Sequence, residues 1–443
     1  MNTPGNRTFL GFGFGAIQAG LFLHEAFRSG AFRRLVVAEV QPDVVASVRA
    51  ARGFFTVNVA HSDRVESARL GPVEMENPSE PLDRTRLVAA VAGAAEIATA
   101  VPSVAFYRSP GPASLHRVVA EGLGRRVASD GPPAVVYAAE NDNRAAEILE
   151  EAVLEEMPPG DRDPVRRRVR FLNTVIGKMS GVVSDPGEIR ERALSPLTPG
   201  SGRAILVEAF NRILISAIRF EPGTAGGFRR GIDVFEEKPD LLPFEEAKLY
   251  GHNATHAAAA YLAAAAGRRK IADVRAMPGA MAFLRRAFVE ESGGPLVKKY
   301  GSLDPLFTPE GWAAYADGLI ERMTNPFLGD TVERVGRDPQ RKLAWDDRLI
   351  GTMRLALEAG IAPRRFSMAA AAALRALDPG LSSGAAPLGP ALDTVWGAGR
   401  PAEMRNRLIE AIQTGRAALD RWVRSGCEDP EEPLRDDPPS LTM

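Results

Sequence analysis

The stretch RTFLGFGFGAIQAGLFLHEAFRSGAFRRLVVAEV, residues 7–40, decides the fold of the first half of the chain. It opens with a short apolar run, RTFLGF, that ends in glycines. A helical pattern, AIQAGLFLHEAFRSG, follows and closes at Gly30. RRLVVAEV then reads as a buried strand ending on Glu39. Strand, glycine turn, helix and strand with an acidic end make a βαβ unit. Glycines stand at 11, 13, 15 and 20, and Gly13-x-Gly15-x-x-Gln18 is the register of a dinucleotide turn. The first two glycines suit a tight turn and a close approach of backbone to a pyrophosphate at a helix N-terminus. Gln18 stands where a third glycine would usually let helix and strand pack closely, and Gly20 is near enough to take part of that role. A carboxylate at Glu39 can accept hydrogen bonds from ribose hydroxyls and would repel a 2′-phosphate, which points to NAD. Arg33 and Arg34, close in sequence, keep NADP open. The candidate cofactor contacts are Gly13, Gly15, Ala16, Ile17, Gln18 and Glu39, with Thr99, Ala100 and Val101 at the end of a further strand candidate, AEIATAVPS. The plainer alternative is a glycine-rich turn in an α/β domain that holds no nucleotide.

Working outward, buried-strand patterns alternate with helical ones as far as GRAILVEAF, residues 202–210. Such alternation argues for a parallel sheet covered on both faces. PDVVASVRAARG and ASLHRVVAEGLGRRVA read as helices, and PPAVVYAAEND as a buried strand. FFTVNVAHS and RVESARLGPVEMEN alternate as exposed strands would. Beyond about residue 240 helical patterns take over, at 244–266, 272–293, 309–324, 344–360, 366–377 and 403–425. Residues 378–401, rich in Gly and Pro, read as a loop, and EDPEEPLRDDPPSLTM as a disordered tail. The fold class expected is α/β, with a Rossmann-type N-terminal domain and a mainly α-helical C-terminal one. The boundaries expected are 1–225 for the nucleotide domain, 226–427 for the helical domain and 428–443 for the tail.

A chain of 443 residues is too long for one core, which fits two domains. With 55 basic and 56 acidic side chains there is no electrostatic case for a nucleic acid or an anionic membrane surface. One cysteine, Cys427, cannot form an internal disulfide, which fits a reducing compartment. The N-terminus lacks the basic flank and apolar run of a signal peptide, and THAAAAYLAAAAG is too short to span a bilayer. The expectation is a cytoplasmic protein with a small-molecule substrate, as a monomer or a dimer.

The second informative stretch is KLYGHNATHAAAAYLAAAAG, residues 248–267. A hydride transfer from an alcohol needs a base for the hydroxyl proton, donors for the developing oxyanion and an apolar slot for the ring. Lys248 can be that base if burial lowers its pKa. On an ideal helix Asn253 lies about 140° from Lys248, His256 about 80° and His252 about 40°. Spacing alone therefore nominates His252 as readily as His256. A solvated lysine, an interface asparagine and a satisfied core histidine fit equally well. Five histidines and one cysteine, without HExxH or CxxC spacing, give no zinc pattern.

Four segments resemble the polyol-specific long-chain dehydrogenases, and their phosphate-polyol branch above all. KLYGHNATH fits that family's Lys-x4-Asn-x2-His motif, and VEESGGPLVKKYG (289–301) fits a segment that follows it. NPFLGDTVERVGRDPQRKLAWDDRLIG (325–351) is similar to the phosphate-polyol branch, and AAENDNR (138–144) to the Glu-Asn element at the nicotinamide edge. With the glycine motif the likeness spans about residues 9–377. It implies metal-independent, NAD-dependent oxidation of a polyol phosphate to a ketose phosphate. It implies Lys248 as general base and Asn141 and Asn253 as oxyanion donors. His256 would position the substrate hydroxyl, Glu245 would help move protons to solvent, and His252 falls outside the motif.

Arg334, Arg337, Arg341 and Lys342, with Lys298 and Lys299, form the natural place for a substrate phosphate. An ion-paired, solvated helix face is the alternative, since Glu333, Asp338, Asp346 and Asp347 lie among them. The chain departs from the family at Gln18, and at Gly177 and Lys178, where an Asp-Arg pair is usual. It also carries insertions near 157–168 and 193–203. These departures keep two other readings in play. One is a dehydrogenase for a non-phosphorylated polyol, a sugar acid or a specialised biosynthetic alcohol. The other is a catalytically silent NAD-binding protein.

Overall fold

The computed structural model describes residues 7–221, 228–382 and 387–435. The chain divides into two compact units between Leu242 and Pro243. The first unit holds twelve strands: β1 (Thr8–Phe12), β2 (Arg34–Ala38), β3 (Phe55–Ala60), β4 (Val65–Leu70), β5 (Glu74–Glu76), β6 (Ala94–Thr99), β7 (Ala134–Ala138), β8 (Val169–Ile176), β9 (Ser180–Val183), β10 (Ala204–Glu208), β11 (Ile213–Ser216) and β12 (Phe235–Lys238). Eight of them form one sheet in the order β12-β11-β8-β7-β6-β1-β2-β5. From β5 to β8 every pairing is parallel, in the doubly wound arrangement of a Rossmann fold. β11 joins antiparallel to β8, and β12 parallel to β11.

Why these residues build such a sheet is visible in β1. All five of its side chains are buried, because helices cover both faces. Phe9 packs with Phe22, Tyr137 and Phe235 on one face, while Leu10 and Phe12 pack with Leu87, Val91 and Val118 on the other. Of the stretches expected as exposed strands, β4 keeps an exposed face and β3 does not. β3 and β4 form a second sheet of order β4-β3-β10-β9, and most of β3 is buried. That sheet rests against the first helix so closely that a Cβ on Gly20 would lie 2.3 Å from Val207.

The unit boundary falls later than 225/226, because β12 completes the main sheet and belongs to the first unit. The second unit is helical. Its α-helices include Ala254–Ala265, Pro309–Met323, Arg348–Glu358, Arg364–Leu377 and Ala402–Arg424. The expected helix 272–293 is broken into a 3-10 turn Ile271–Ala276, a helix Ala280–Arg286 and a π-helical turn Ala287–Gly293. Two more π-helical turns occur, Gln18–Leu23 and Ala247–Asn253. Such turns insert one extra residue into the helical repeat and recur at functional sites.

Two loop assignments are corrected. Residues 378–401 contain a helix, Leu388–Trp396, because Leu388, Leu392 and Trp396 line one buried face; residues 383–386 lie outside the described set. The segment expected as a tail from 428 is packed as far as Arg435, with 436–443 outside the described residues. Glu431 is buried and receives Arg365 at 2.5 Å and Arg286 at 3.1 Å. Leu434 is buried beside it, and Trp422 donates to the Glu428 carbonyl at 2.9 Å. Among the described residues no helix is long and apolar enough to cross a membrane.

Replacing Glu431 with Ala takes from Arg365 one of its three carboxylates, leaving Glu290 and Glu291, and removes the partner of Arg286. Losing these charge-assisted hydrogen bonds costs about 2 kcal/mol. A thermal melt followed by circular dichroism should show that loss in the helical unit; an unchanged melt would return residues 428–435 to a loose tail.

Candidate active site

In the first unit the register of the parallel strands sets the candidate cofactor residues side by side. Phe12 pairs with Ala38 and with Thr99, and Thr99 pairs with Ala138. The residues just beyond these strand ends, Gly13, Glu39, Ala100 and Ala139, therefore share one edge. The order of connection reverses between β1 and β6, where open sheets of this kind hold ligands. Gly13 has φ 83° and a Cβ there would sit 2.8 Å from the Ala100 carbonyl, so only glycine fits the turn. Nothing lies within 4 Å of a Cβ on Gly15, which leaves room for a ligand against that backbone. Ala16 and Ile17 follow it into the helix start. These features fit a dinucleotide.

Glu39 is buried, and one of its oxygens accepts from the Gln41 amide at 2.8 Å. Arg34 sits at the other end of β2, about 16 Å away along the strand, and is paired with Glu74. The sequence neighbour is thus not a spatial one. Gln18 needs correction as a side-chain contact. Its amide is wholly buried without a partner and lies where a Cβ of Gly11 would be. The close approach that a third glycine usually gives the helix is supplied here by a glycine on the strand.

Asn141 is exposed on the loop after β7. Its neighbour Glu140 is buried and anchors that loop. Glu140 accepts from the Thr99 hydroxyl at 2.8 Å, from the Val101 amide at 2.9 Å and from the Tyr107 hydroxyl. Burial pushes the Glu140 carboxyl up, and the three hydrogen bonds pull it back down. Tyr107 is itself held through its carbonyl by Ser114 and His116, and His116 reaches Glu156 at 3.1 Å. Lys178 takes no part in this edge. Its ammonium group, buried, donates to the carbonyls of Glu208 and Phe210 and to Asn211.

In the second unit Lys248 and Asn253 both lie in the π-helical turn Ala247–Asn253. The ideal-helix angle of about 140° does not apply there, because the wider i→i+5 turn narrows the angle between residues five apart. Lys248 and Asn253 are such a pair. Gly251 lets the turn form: a Cβ there would lie 2.8 Å from Phe288 and 3.2 Å from Trp312. Gly293, in the other π-helical turn of this unit, approaches Trp312 just as closely.

Lys248 is partly buried, and burial with the nearby charge of Arg348 lowers its pKa to about 8, against the pull of Glu245. His256 is pushed down to about 4 by burial; Arg334, Arg348 and Lys342 add to the shift and Asp330 opposes it. Its imidazole is therefore neutral near neutral pH. His252 is wholly buried with its ring 6.2 Å from that of His256.

The proposed phosphate set does not act as one. Arg341 is exposed and paired with Asp338 at 3.0 Å, and Lys299 is paired with Glu246. Lys342 is buried, donates to the Arg337 carbonyl and is lowered to about 8 by burial. Arg334 is held by Asp330. The cations acting on His256 are Arg334, Lys342 and a residue not nominated from sequence, Arg348. Arg348 is bound to Asp347 at 2.7 Å. It stands in the segment 325–351, but nothing in its spacing to Lys248 marks it out.

The family model for the mannitol dehydrogenase C-terminal domain matches residues 240–394. The mannitol-1-phosphate 5-dehydrogenase of Arthrobacter sp. (strain FB24) is 31% identical over 361 residues, 81% of this chain and 83% of that one. The one of Paenarthrobacter aurescens (strain TC1) is 32% identical over 359 residues, 80% and 82% of the two chains. Among solved structures, Pseudomonas fluorescens mannitol 2-dehydrogenase in ternary complex with NAD and D-mannitol has a TM-score of 0.65. It is 16% identical and the match covers 98% of this chain and 95% of that one, a likeness of fold.

Replacing Glu140 with Ala leaves three donors around Thr99, Val101 and Tyr107 unpaired. At roughly 1 kcal/mol or more for each donor, the first unit should lose about 3 kcal/mol. Urea denaturation checks this; a loss below about 1 kcal/mol would mean that Glu140 does not anchor the loop.

Proposed function

From the premise that the chain belongs to the mannitol dehydrogenase family, and is an NAD-dependent polyol dehydrogenase, we propose that it interconverts a polyol phosphate and a ketose phosphate of the mannitol 1-phosphate and fructose 6-phosphate type. Lys248 is the general base of this reading. The observation that carries it is a partly buried lysine, its pKa lowered to about 8, that shares one π-helical turn with an asparagine.

NAD, when bound, supplies the acceptor for the hydride that leaves the alcohol carbon. The residues of the chain handle the proton and the oxygen. Lys248, as the free amine, takes the hydroxyl proton. Asn253 donates its amide N–H to the same oxygen as it becomes a carbonyl. His256, kept neutral, hydrogen-bonds a substrate hydroxyl, and Glu245 passes the proton on from Lys248. In the first unit Gly13, Gly15 and Glu39 hold the nucleotide, and Asn141 offers an amide at the same strand edge.

The phosphate is assigned to the cations that act on His256: Arg334, Lys342 and Arg348. The names of the two relatives at about a third identity support a phosphorylated substrate. A non-phosphorylated polyol is the second reading, favoured by the prior commitments of Arg334 to Asp330 and of Lys342 to the Arg337 carbonyl.

Two measurements decide. A base must be unprotonated to act, so polyol oxidation should rise about tenfold per pH unit below pH 8 and level off above it, while ketose reduction, which needs the protonated lysine, should be level below pH 8 and fall above it. Lys248→Ala should abolish both limbs with NAD binding intact; persistent turnover in that variant excludes Lys248 as the base. Replacing Arg348 with Gln should raise KM at least about tenfold for a polyol phosphate and leave KM for non-phosphorylated polyols little changed, while kcat below pH 8 falls for both classes because the charge that adds to burial in lowering Lys248 is gone. Equal rises in KM on both substrate classes would favour the second reading.

A further inference from the structure

Asp330 was not singled out from the sequence, and its surroundings give it a defined task. Its backbone is fixed: the carbonyl accepts from Ile271 N–H at 2.9 Å, and the following Thr331 caps the helix Val332–Gly336 while bridging to Lys270. Its side chain is buried, with one oxygen taken by Arg334. The other oxygen faces Nε2 of His256 at 3.5 Å. Neither of these two facing atoms has any hydrogen-bond partner, and both are buried. Leaving two such atoms unpaired costs free energy, and closing the gap by about half an ångström makes an ordinary hydrogen bond.

We propose that Asp330 is a positioning residue that decides which ring nitrogen of His256 carries the proton. A neutral imidazole has one N–H and one lone pair. A carboxylate can only accept, so the nitrogen that faces it must be the N–H. Nε2 of His256 therefore carries the hydrogen, and Nδ1 keeps the lone pair. His256 then meets a substrate hydroxyl as an acceptor and not as a donor. The same carboxylate holds Arg334 by its other oxygen, so one side chain ties the hydroxyl-recognising group to a cation assigned to the substrate. The other charged and titratable groups acting on His256 are Arg334, Arg348 and Lys342, and His252 lies beside it. The three cations can only donate, and the His252 ring centre is 6.2 Å away, whereas the carboxylate oxygen faces Nε2 directly and makes that nitrogen the N–H.

The catalytic consequence rests on the reading of His256 as a substrate contact, but the tautomer does not. The test is nitrogen-15 NMR of the full chain labelled at histidine, without ligand. With five histidines in the sequence, His256 is identified by the signals lost in His256→Gln. The expected result near neutral pH is an uncharged ring with hydrogen on Nε2, and in Asp330→Ala a mixture of both tautomers. Kinetically, Asp330→Ala should lower kcat for the polyol about tenfold to a hundredfold with the KM for NAD unchanged.

A wild-type ring with hydrogen on Nδ1, or a charged ring, overturns the proposal even if the variant fails to fold. So does an Nε2–H ring that persists unchanged in folded Asp330→Ala. An Nε2–H ring that becomes mixed in Asp330→Ala, in a protein inactive on every polyol, would support the role of Asp330 and sink the dehydrogenase mechanism instead.

Discussion

The arrangement of Lys248 and Asn253 depends on one additional residue in one helical turn. An α-helix would swing Asn253 well away from Lys248, whereas the wider turn Ala247–Asn253 narrows the angle between the two. Such a turn has poorer backbone geometry than an α-helix and must be held from outside. Gly251 admits Phe288 and Trp312 against its backbone, and Gly293 admits Trp312 from the other side. Trp312 is wholly buried, with its indole N–H on the Phe288 carbonyl at 2.9 Å. The SGGP segment that follows this stretch thus has a physical purpose, which is to seat the turn that holds Lys248 and Asn253.

Around that pair, burial and charge work in the same direction. Removing Lys248 from water penalises its ammonium form, and the guanidinium of Arg348 penalises it further. The same arginine acts on His256. A cluster of cations beside a lysine and a histidine keeps both closer to their neutral forms, the forms that take up protons. The cations that would draw an anionic substrate therefore also prepare the base.

Much of the first unit was legible because a parallel sheet buried on both faces writes itself as unbroken apolar runs, as in β1 and β7. Glycine turns and the acid at Glu39 marked the strand ends. The second sheet was not legible, because β3 and β10 are distant in sequence and pair only in three dimensions. Type and spacing left His252 and His256 as rivals beside Lys248 and Asn253, and the resemblance to a family motif chose His256; the angles of an ideal α-helix do not hold there, because a π-helical turn has no pattern in apolar periodicity. Asp330 and Arg348 were missed for a related reason. Each lies far along the chain from the residue it acts on, and each looked like one charge among many in a polar segment. Lys342 showed the opposite failure: a basic residue next to Arg341 in a charged segment reads as surface, and it is buried.

The packed segment around Glu431 has a bearing on the order of events during synthesis. Arg365 faces Glu290, Glu291 and Glu431 together, and Glu291 also holds the first amides of the helix Arg364–Leu377. While the chain is growing, that arginine has two of its three carboxylate partners and lacks the last. The helical unit can collapse around Trp312 well before then, but its charge network stays open until residue 431 has left the ribosome. Completion of this half thereby waits for residue 431, and the nucleotide-binding half, made first, has no such wait.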